Sequence, residues 1–209
     1  PPVDAGQTLT INNIKFVTAC GGSELDLVSN SPNDPCGYIT VVANHVENGV
    51  ATIVPSDFTW TVKDQTVAKL DFVVGHEHDA TQHLSTDVDT FSSPSGIEPE
   101  TEVVACTIPQ LQVDPVCGTL PVKAVVNLAG QWIFQGWPFG DMGNFAVEQD
   151  NRQLTIDISG QGAVNGRQVT FNWGGFDFVG KLMTHDDMEG DFSLAGSTEV
   201  ISHWSAKRQ

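Results

Sequence analysis

Positive charge is scarce in this chain. Nine lysines and arginines stand against 26 aspartates and glutamates in 209 residues, a formal net charge of −17 at pH 7. A field of that sign repels phosphate backbones and anionic headgroups, so nucleic acid and anionic lipid are excluded as direct partners. The excess acid serves solubility or tolerance of salt, with cations or a basic partner as the alternatives. Long apolar runs are missing as well. None approaches the roughly 18 residues a helix needs to cross a bilayer, so no membrane insertion by this chain is expected. There is no charged segment leading into an apolar one, and the chain reads as an already processed form. Asn-x-Ser/Thr does not occur, since Asn30-Ser31-Pro32 has no hydroxyl residue in third place; this fits a bacterial source.

Catalytic signatures are lacking too. Gly-x-Ser-x-Gly is absent, and Ser95 lies in a Pro/Gly turn without a strand-to-helix elbow. With 26 acids in the chain, a pair of carboxylates of glycosidase type would carry little information. Cysteine is sparse but even in number: Cys20, Cys36, Cys106 and Cys117, with no C-x-x-C spacing and no clustered histidine beside them. That pattern points to disulfides formed outside the cytoplasm rather than to zinc. Of the three connectivities, Cys20–Cys36 and Cys106–Cys117 are favoured, because each pair is close in sequence and within one candidate domain.

What is present is strand. The N-terminal part carries β-rich runs at Thr8–Val17, Tyr38–Val46, Gly49–Val54, Thr59–Val62, Ala68–Val74 and Glu102–Ile108, separated by turn clusters such as 29–35 and 92–96. That spacing predicts a sandwich over residues 1–118. The C-terminal part, 119–209, carries runs at Trp132–Trp137, Phe145–Gln149, Leu154–Ser159, Gln168–Trp173, Phe176–Met183, Gly190–Leu194 and Glu199–Lys207. Their connections are short, and Asn165-Gly166 is a type I′ hairpin signal, so an up-and-down meander closed into a small antiparallel barrel is expected. Charge divides at the same boundary, with 16 acids against 3 bases up to residue 118 and 10 against 6 after it. Residues 110–126, with Pro115, Pro121 and Cys117, read as a stiffened linker. No sustained helical period occurs.

Two resemblances follow from particular residues. Gly6-Gln7-Thr8-Leu9-Thr10-Ile11, Tyr38 to Asn48, Pro55-Ser56-Asp57-Phe58-Thr59-Trp60 and Ile97 to Pro109 resemble the immunoglobulin-like domains of bacterial lipoproteins and secreted antigens. In that family a central strand ends in Asn beside the turn and a later strand carries an Asp-Phe step. Gly130-Gln131-Trp132, Gly162 to Val169, Met188-Glu189-Gly190-Asp191-Phe192 and the ending Trp204-Ser205-Ala206-Lys207-Arg208 are similar to the lipocalin-like or avidin-like small barrels of bacterial extracytoplasmic proteins. No residue set matches the biotin-binding pattern of avidin closely enough to carry that ligand over.

Candidate contact residues are aromatic. Trp132, Trp173 and Trp204 either line a cavity or fill the barrel as core, while Trp137 and Phe139, in Trp137-Pro138-Phe139-Gly140-Asp141, are the better candidates for contact with a protein or glycan partner. His76, His78 and His83 are a weak metal-site candidate: His76 and His78 at i, i+2 on one strand face would chelate, with His83 or Asp79 completing the shell. The acids at 186–191 and at Asp87 and Asp89 begin a calcium shell or simply solvate a turn. No cofactor is expected. The leading expectation is a non-enzymatic, extracytoplasmic binding or adhesion module of a bacterial cell surface. A structural subunit of an extracellular fibre or envelope complex, self-assembling through an arm such as Pro1-Pro2-Val3, is the alternative. A carboxylate- or metal-dependent hydrolase comes third.

Overall fold

A computed structural model of the chain describes residues 11, 13–31, 34–47, 50–54, 56–71, 76, 78–93, 95–108, 114–136, 140–157 and 159–209. They are all-β, apart from one 3-10 turn at Pro35–Gly37. The chain forms two compact units, one drawn from 1–27, 32–86 and 100–123, the other from 28–31, 87–99 and 124–209.

Two sheets share the core of the first unit. One has the order β1-β3-β7-β6, with β1 at Asn13–Thr18, β3 at Tyr38–Glu47, β7 at Thr81–Ser85 and β6 at Lys69–Leu70; β4, Val50–Val54, also pairs with β3. The other has the order β2-β9-β8-β5, from Leu25–Val28, Cys117–Val125, Glu100–Ile108 and Asp57–Val62. Alternation explains the facing. In β5, Phe58, Trp60 and Val62 are buried while Asp57, Thr59 and Thr61 are exposed. Ile39, Val41 and Ala43 of β3 enter the same core from the opposite sheet. Cys20–Cys36 and Cys106–Cys117 are both bridged, and the second joins directly opposed residues of β8 and β9.

The segment expected to be a linker is instead largely strand. Leu120, Val122 and Ala124 alternate into the interior, and the apolar face they form outweighs the proline signal that marked the segment as irregular. Strands β2 and β7 also went unanticipated, being a four-residue run with a buried Asp26 and a histidine-bearing run of only five residues.

The second unit is a closed barrel of eight antiparallel strands in chain order: β10 Gly130–Gly136, β11 Gly140–Asp150, β12 Gln153–Ile156, β13 Gly160–Asn165, β14 Gln168–Trp173, β15 Phe176–Leu182, β16 Asp187–Leu194 and β17 Val200–Arg208. Closure runs from Trp132 opposite Arg208 to Gly136 opposite Trp204. Closing the sheet removes its edges. Aromatic rings fill the interior: Phe134 lies 5.0 Å from Phe145, 5.5 Å from Phe171 and 5.6 Å from Trp204, and Phe171 stacks on Phe178 at 4.5 Å.

One end of the barrel, where β10 begins and β17 stops, is plugged. Val125, Val126 and Leu128 join the core there. Trp132 Nε1 donates to the Leu128 carbonyl at 2.9 Å, and the Gln149 amide accepts from Leu128 N at 2.6 Å while donating to Val126 O and Asn151 O. Residues 87–99 add a strap across the turns at this end. His185 Nε2 meets the buried carboxylate of Asp89 at 2.9 Å; Phe91 packs against the His185 ring at 4.6 Å with the Arg167 guanidinium 4.2 Å from its centroid. Glu98 holds both Arg152 terminal nitrogens, at 2.7 and 2.8 Å, and accepts from Gly166 N at 2.8 Å.

Candidate functional site

A single row of side chains across the barrel wall sets the shape of the site. Gly136, Trp204, Gly190, Gly180 and Val169 stand opposite one another in that order on β10, β17, β16, β15 and β14. All five project inward, so the row offers one indole and three positions with no side chain. A Cβ on Gly180 would come within 2.5 Å of Trp204 Cζ2, and one on Gly190 would run into the Val179 carbonyl oxygen. The strands therefore close in on the indole, which is buried and donates Nε1 to the Asp191 carbonyl at 3.0 Å. A wall drawn toward the axis is concave outside.

The outer face of these five strands is accordingly a groove of about 870 Å³. Its polar lining comes from outward-facing positions: Gln135, Gln168, Thr170, Lys181, Glu189, Asp191, His203 and Ser205, with Val179 as an apolar patch. Lys181 stands opposite Glu189, and Asp191 stands opposite His203, with Asp191 Oδ1 against His203 Nδ1. The groove thus presents amides and hydroxyls together with one lysine, two carboxylates and an imidazole. Two-sided hydrogen-bonding chemistry of this kind suits a polyhydroxylated, uncharged ligand. His203 and Asp191 are solvated, their side chains 85% and 48% exposed.

The acids at 186–191 gain a structural account here. Asp187, Glu189 and Asp191 are alternate residues of β16, so they share its outer face; Lys207 lies 3.4 Å from Asp187. Asp186 sits in the preceding turn beside Arg208. Burial pushes the Arg208 guanidinium below its ordinary range, and the charge of Asp186 partly opposes that shift. Among the described residues neither these acids nor Asp87 and Asp89 form a three-ligand cluster.

Trp132 and Trp204 are buried core. Trp173 is half-buried, edge-on to Phe145 at 4.8 Å. It belongs to the end of the barrel away from the plug, where Trp173 opposes Phe176, Phe176 opposes Leu194, and Val200 follows on β17. Leu194, Val200 and Ile201 give this rim an exposed apolar character. Trp137 and Phe139 lie outside the described residues.

Of the three histidines expected to gather, His76 and His83 line one pocket with Asp71 and Asp79, and His78 is not part of it. His76 and His78 sit in a turn, closed by Asp79 N donating to His76 O, so they share no strand face. His76 Nδ1 pairs with Asp79, His78 Nδ1 meets the Phe58 carbonyl at 3.3 Å, and His83 Nδ1 meets Asp71 at 2.7 Å. Among the described residues the three do not place their ligand atoms within 4.8 Å of one another.

Sequence reading singled out none of the amides and hydroxyls of the groove. The available signal was the glycine register, since Gly180 and Gly190 fall opposite each other in the β15–β16 hairpin with Trp204 next in line. Compared with protein-family models, curated proteins and solved structures, the chain has no significant match.

Proposed function

We propose that the protein is a non-enzymatic, extracytoplasmic binding module whose ligand is a neutral glycan segment seated in the groove on the barrel wall. The observation that carries this reading is the concave face itself, floored by the glycine row and lined by Gln135, Gln168, Thr170 and Ser205. A groove open along its length suits an extended chain of sugar units, and its two carboxylates against one lysine disfavour an anionic one. Exposure of His203 and Asp191 also favours binding over catalysis, because reacting groups are normally held where water is excluded. The two disulfides point to an oxidising compartment. A sandwich followed by an up-and-down barrel supports the resemblance to immunoglobulin-like and lipocalin-like or avidin-like modules of bacterial surface proteins. The setting is accordingly a cell surface, with adhesion as its use. The apolar rim of Leu194, Val200 and Ile201 favours a second reading, in which a protein partner docks at the end of the barrel away from Trp132 and Leu128.

A glycan array probed with the intact chain, followed by calorimetry on the best binder, tests the first reading. Gln168→Ala should weaken binding about tenfold, the usual effect of one lost hydrogen bond to a bound ligand. Binding unchanged by both Gln168→Ala and Val179→Trp, or no neutral glycan retained at millimolar concentration, would remove the groove as the site.

A further inference from the structure

The hairpin between β13 and β14 holds two groups that can react with each other. Asn165 is followed by Gly166, the step at which an asparagine side chain is most open to attack by the next backbone nitrogen, because glycine has no Cβ to hinder the approach. Asn165 is exposed and ends its strand opposite Gln168, so its backbone is extended, and the turn is made by Gly166, at φ 59°, and Arg167. The Gly166 N–H is directed to the strap, where it donates to Glu98 Oε1 at 2.8 Å. The same carboxylate receives both terminal nitrogens of Arg152, and Arg152 Nη1 reaches Asn165 Oδ1 at 3.4 Å. Nucleophile and electrophile are thus tied to one ion pair, whose Arg152 and Glu98 side chains are only 21% and 10% exposed.

We infer that Asn165 is a latent deamidation site, held closed by Glu98 and converted when the strap lets go. In the reaction Gly166 N gives up its proton and bonds to Asn165 Cγ; the Cγ–Nδ2 bond breaks, and the side-chain nitrogen leaves as ammonia with that proton. Water then opens the five-membered imide at either carbonyl, leaving aspartate or, with the main chain rerouted through Cβ, isoaspartate. Two restraints oppose the first step. Glu98 sets a negative charge beside the Gly166 N–H, which disfavours loss of its proton. Ring closure also requires the extended backbone at Asn165 to rotate, which carries the nitrogen out of that hydrogen bond. The product brings a new carboxylate beside that of Glu98, competing for Arg152, and isoaspartate lengthens the chain where the hairpin register is set. Release of the strap is thereby made one-way.

Peptide mass spectrometry of the intact chain incubated in mildly alkaline buffer, with and without urea, is the test. Conversion is assigned on the peptide that carries Asn165, because Asn48-Gly49 is a second Asn-Gly step. Read as the one-dalton gain and as uptake of one oxygen from labelled water, it should run at least tenfold slower in the folded chain than in urea. Glu98→Ala should speed it about tenfold with the circular dichroism unchanged, the usual effect of one lost hydrogen bond to a charged group. Glu98→Gln is the second variant should the first misfold. In the deamidated chain, separated by anion exchange, hydrogen exchange of residues 87–99 should rise while β15 to β17 stay protected. Equal rates with and without urea, a folded Glu98 variant as slow as the parent, or a strap as protected after deamidation as before would overturn the inference.

Discussion

Asp64 shows how much a single turn can do without burial. Its carboxylate accepts from the Thr66 hydroxyl at 2.6 Å and from the Thr66 backbone N–H at 2.9 Å, and these bonds hold its pKa below the ordinary value of 3.8. Both bonds favour the charged form, so the stabilisation is present above the unfolded value and is lost as pH falls through the lower folded one. Thr66→Val removes the hydroxyl, which is the larger cause, and should move the Asp64 titration upward by carboxyl-carbon NMR, leaving only the backbone bond to hold it down. Such a turn is legible from Asp-x-Thr alone. The Asp89–His185 and Glu98–Arg152 partnerships are not, because they join residues 96 and 54 positions apart and nothing local marks them.

Elements were read best where one face of a strand is apolar and the other polar. β14 was anticipated residue for residue and β15 to within one, since Phe171 and Phe178 alternate with polar or exposed neighbours. β13 went unanticipated as a strand. Its sequence, Gly-Gln-Gly-Ala-Val-Asn, lacks the bulk that marks a strand, and the reason lies on the adjacent one: a Cβ on Gly162 would sit 2.6 Å from Phe171 Cβ. Glycine there is demanded by the close approach of the neighbouring strand, whose Thr170 carbonyl oxygen would lie 2.4 Å from that added Cβ, and no local pattern displays this. The same logic governs the groove. Gly190→Val should destabilise the barrel by about 1–3 kcal/mol or more, since the obstructing atom is a backbone oxygen that cannot swing aside. Thermal denaturation measures this, and a variant that melts with the parent would mean that the wall is free to relax.

Over the whole molecule, the distribution of cysteine separates the two units. All four cysteines lie in the first unit and none in the second. Loops of 16 and 11 residues are short, and closing each is worth about 3 kcal/mol in the chain-entropy account. Reduction should therefore expose the amides of β3, β7 and β8 to hydrogen exchange well before those of β14 to β17, as read peptide by peptide by mass spectrometry. Simultaneous loss of protection in both sets would show that the barrel depends on the bridges.

The strap and the closing strand have a further consequence, for the order in which the second unit can assemble. Residues 87–99 emerge early in synthesis, yet their partners Arg152, Arg167 and His185 follow 54 to 96 positions later. The barrel is likewise open until residues 200–208 arrive to pair with β10. Contacts so distant in the chain form slowly, because the entropy of loop closure is spent before any pairing offsets it. The second unit thus cannot close until its last strand has been made, so its two ends complete one cooperative step rather than a succession of local ones.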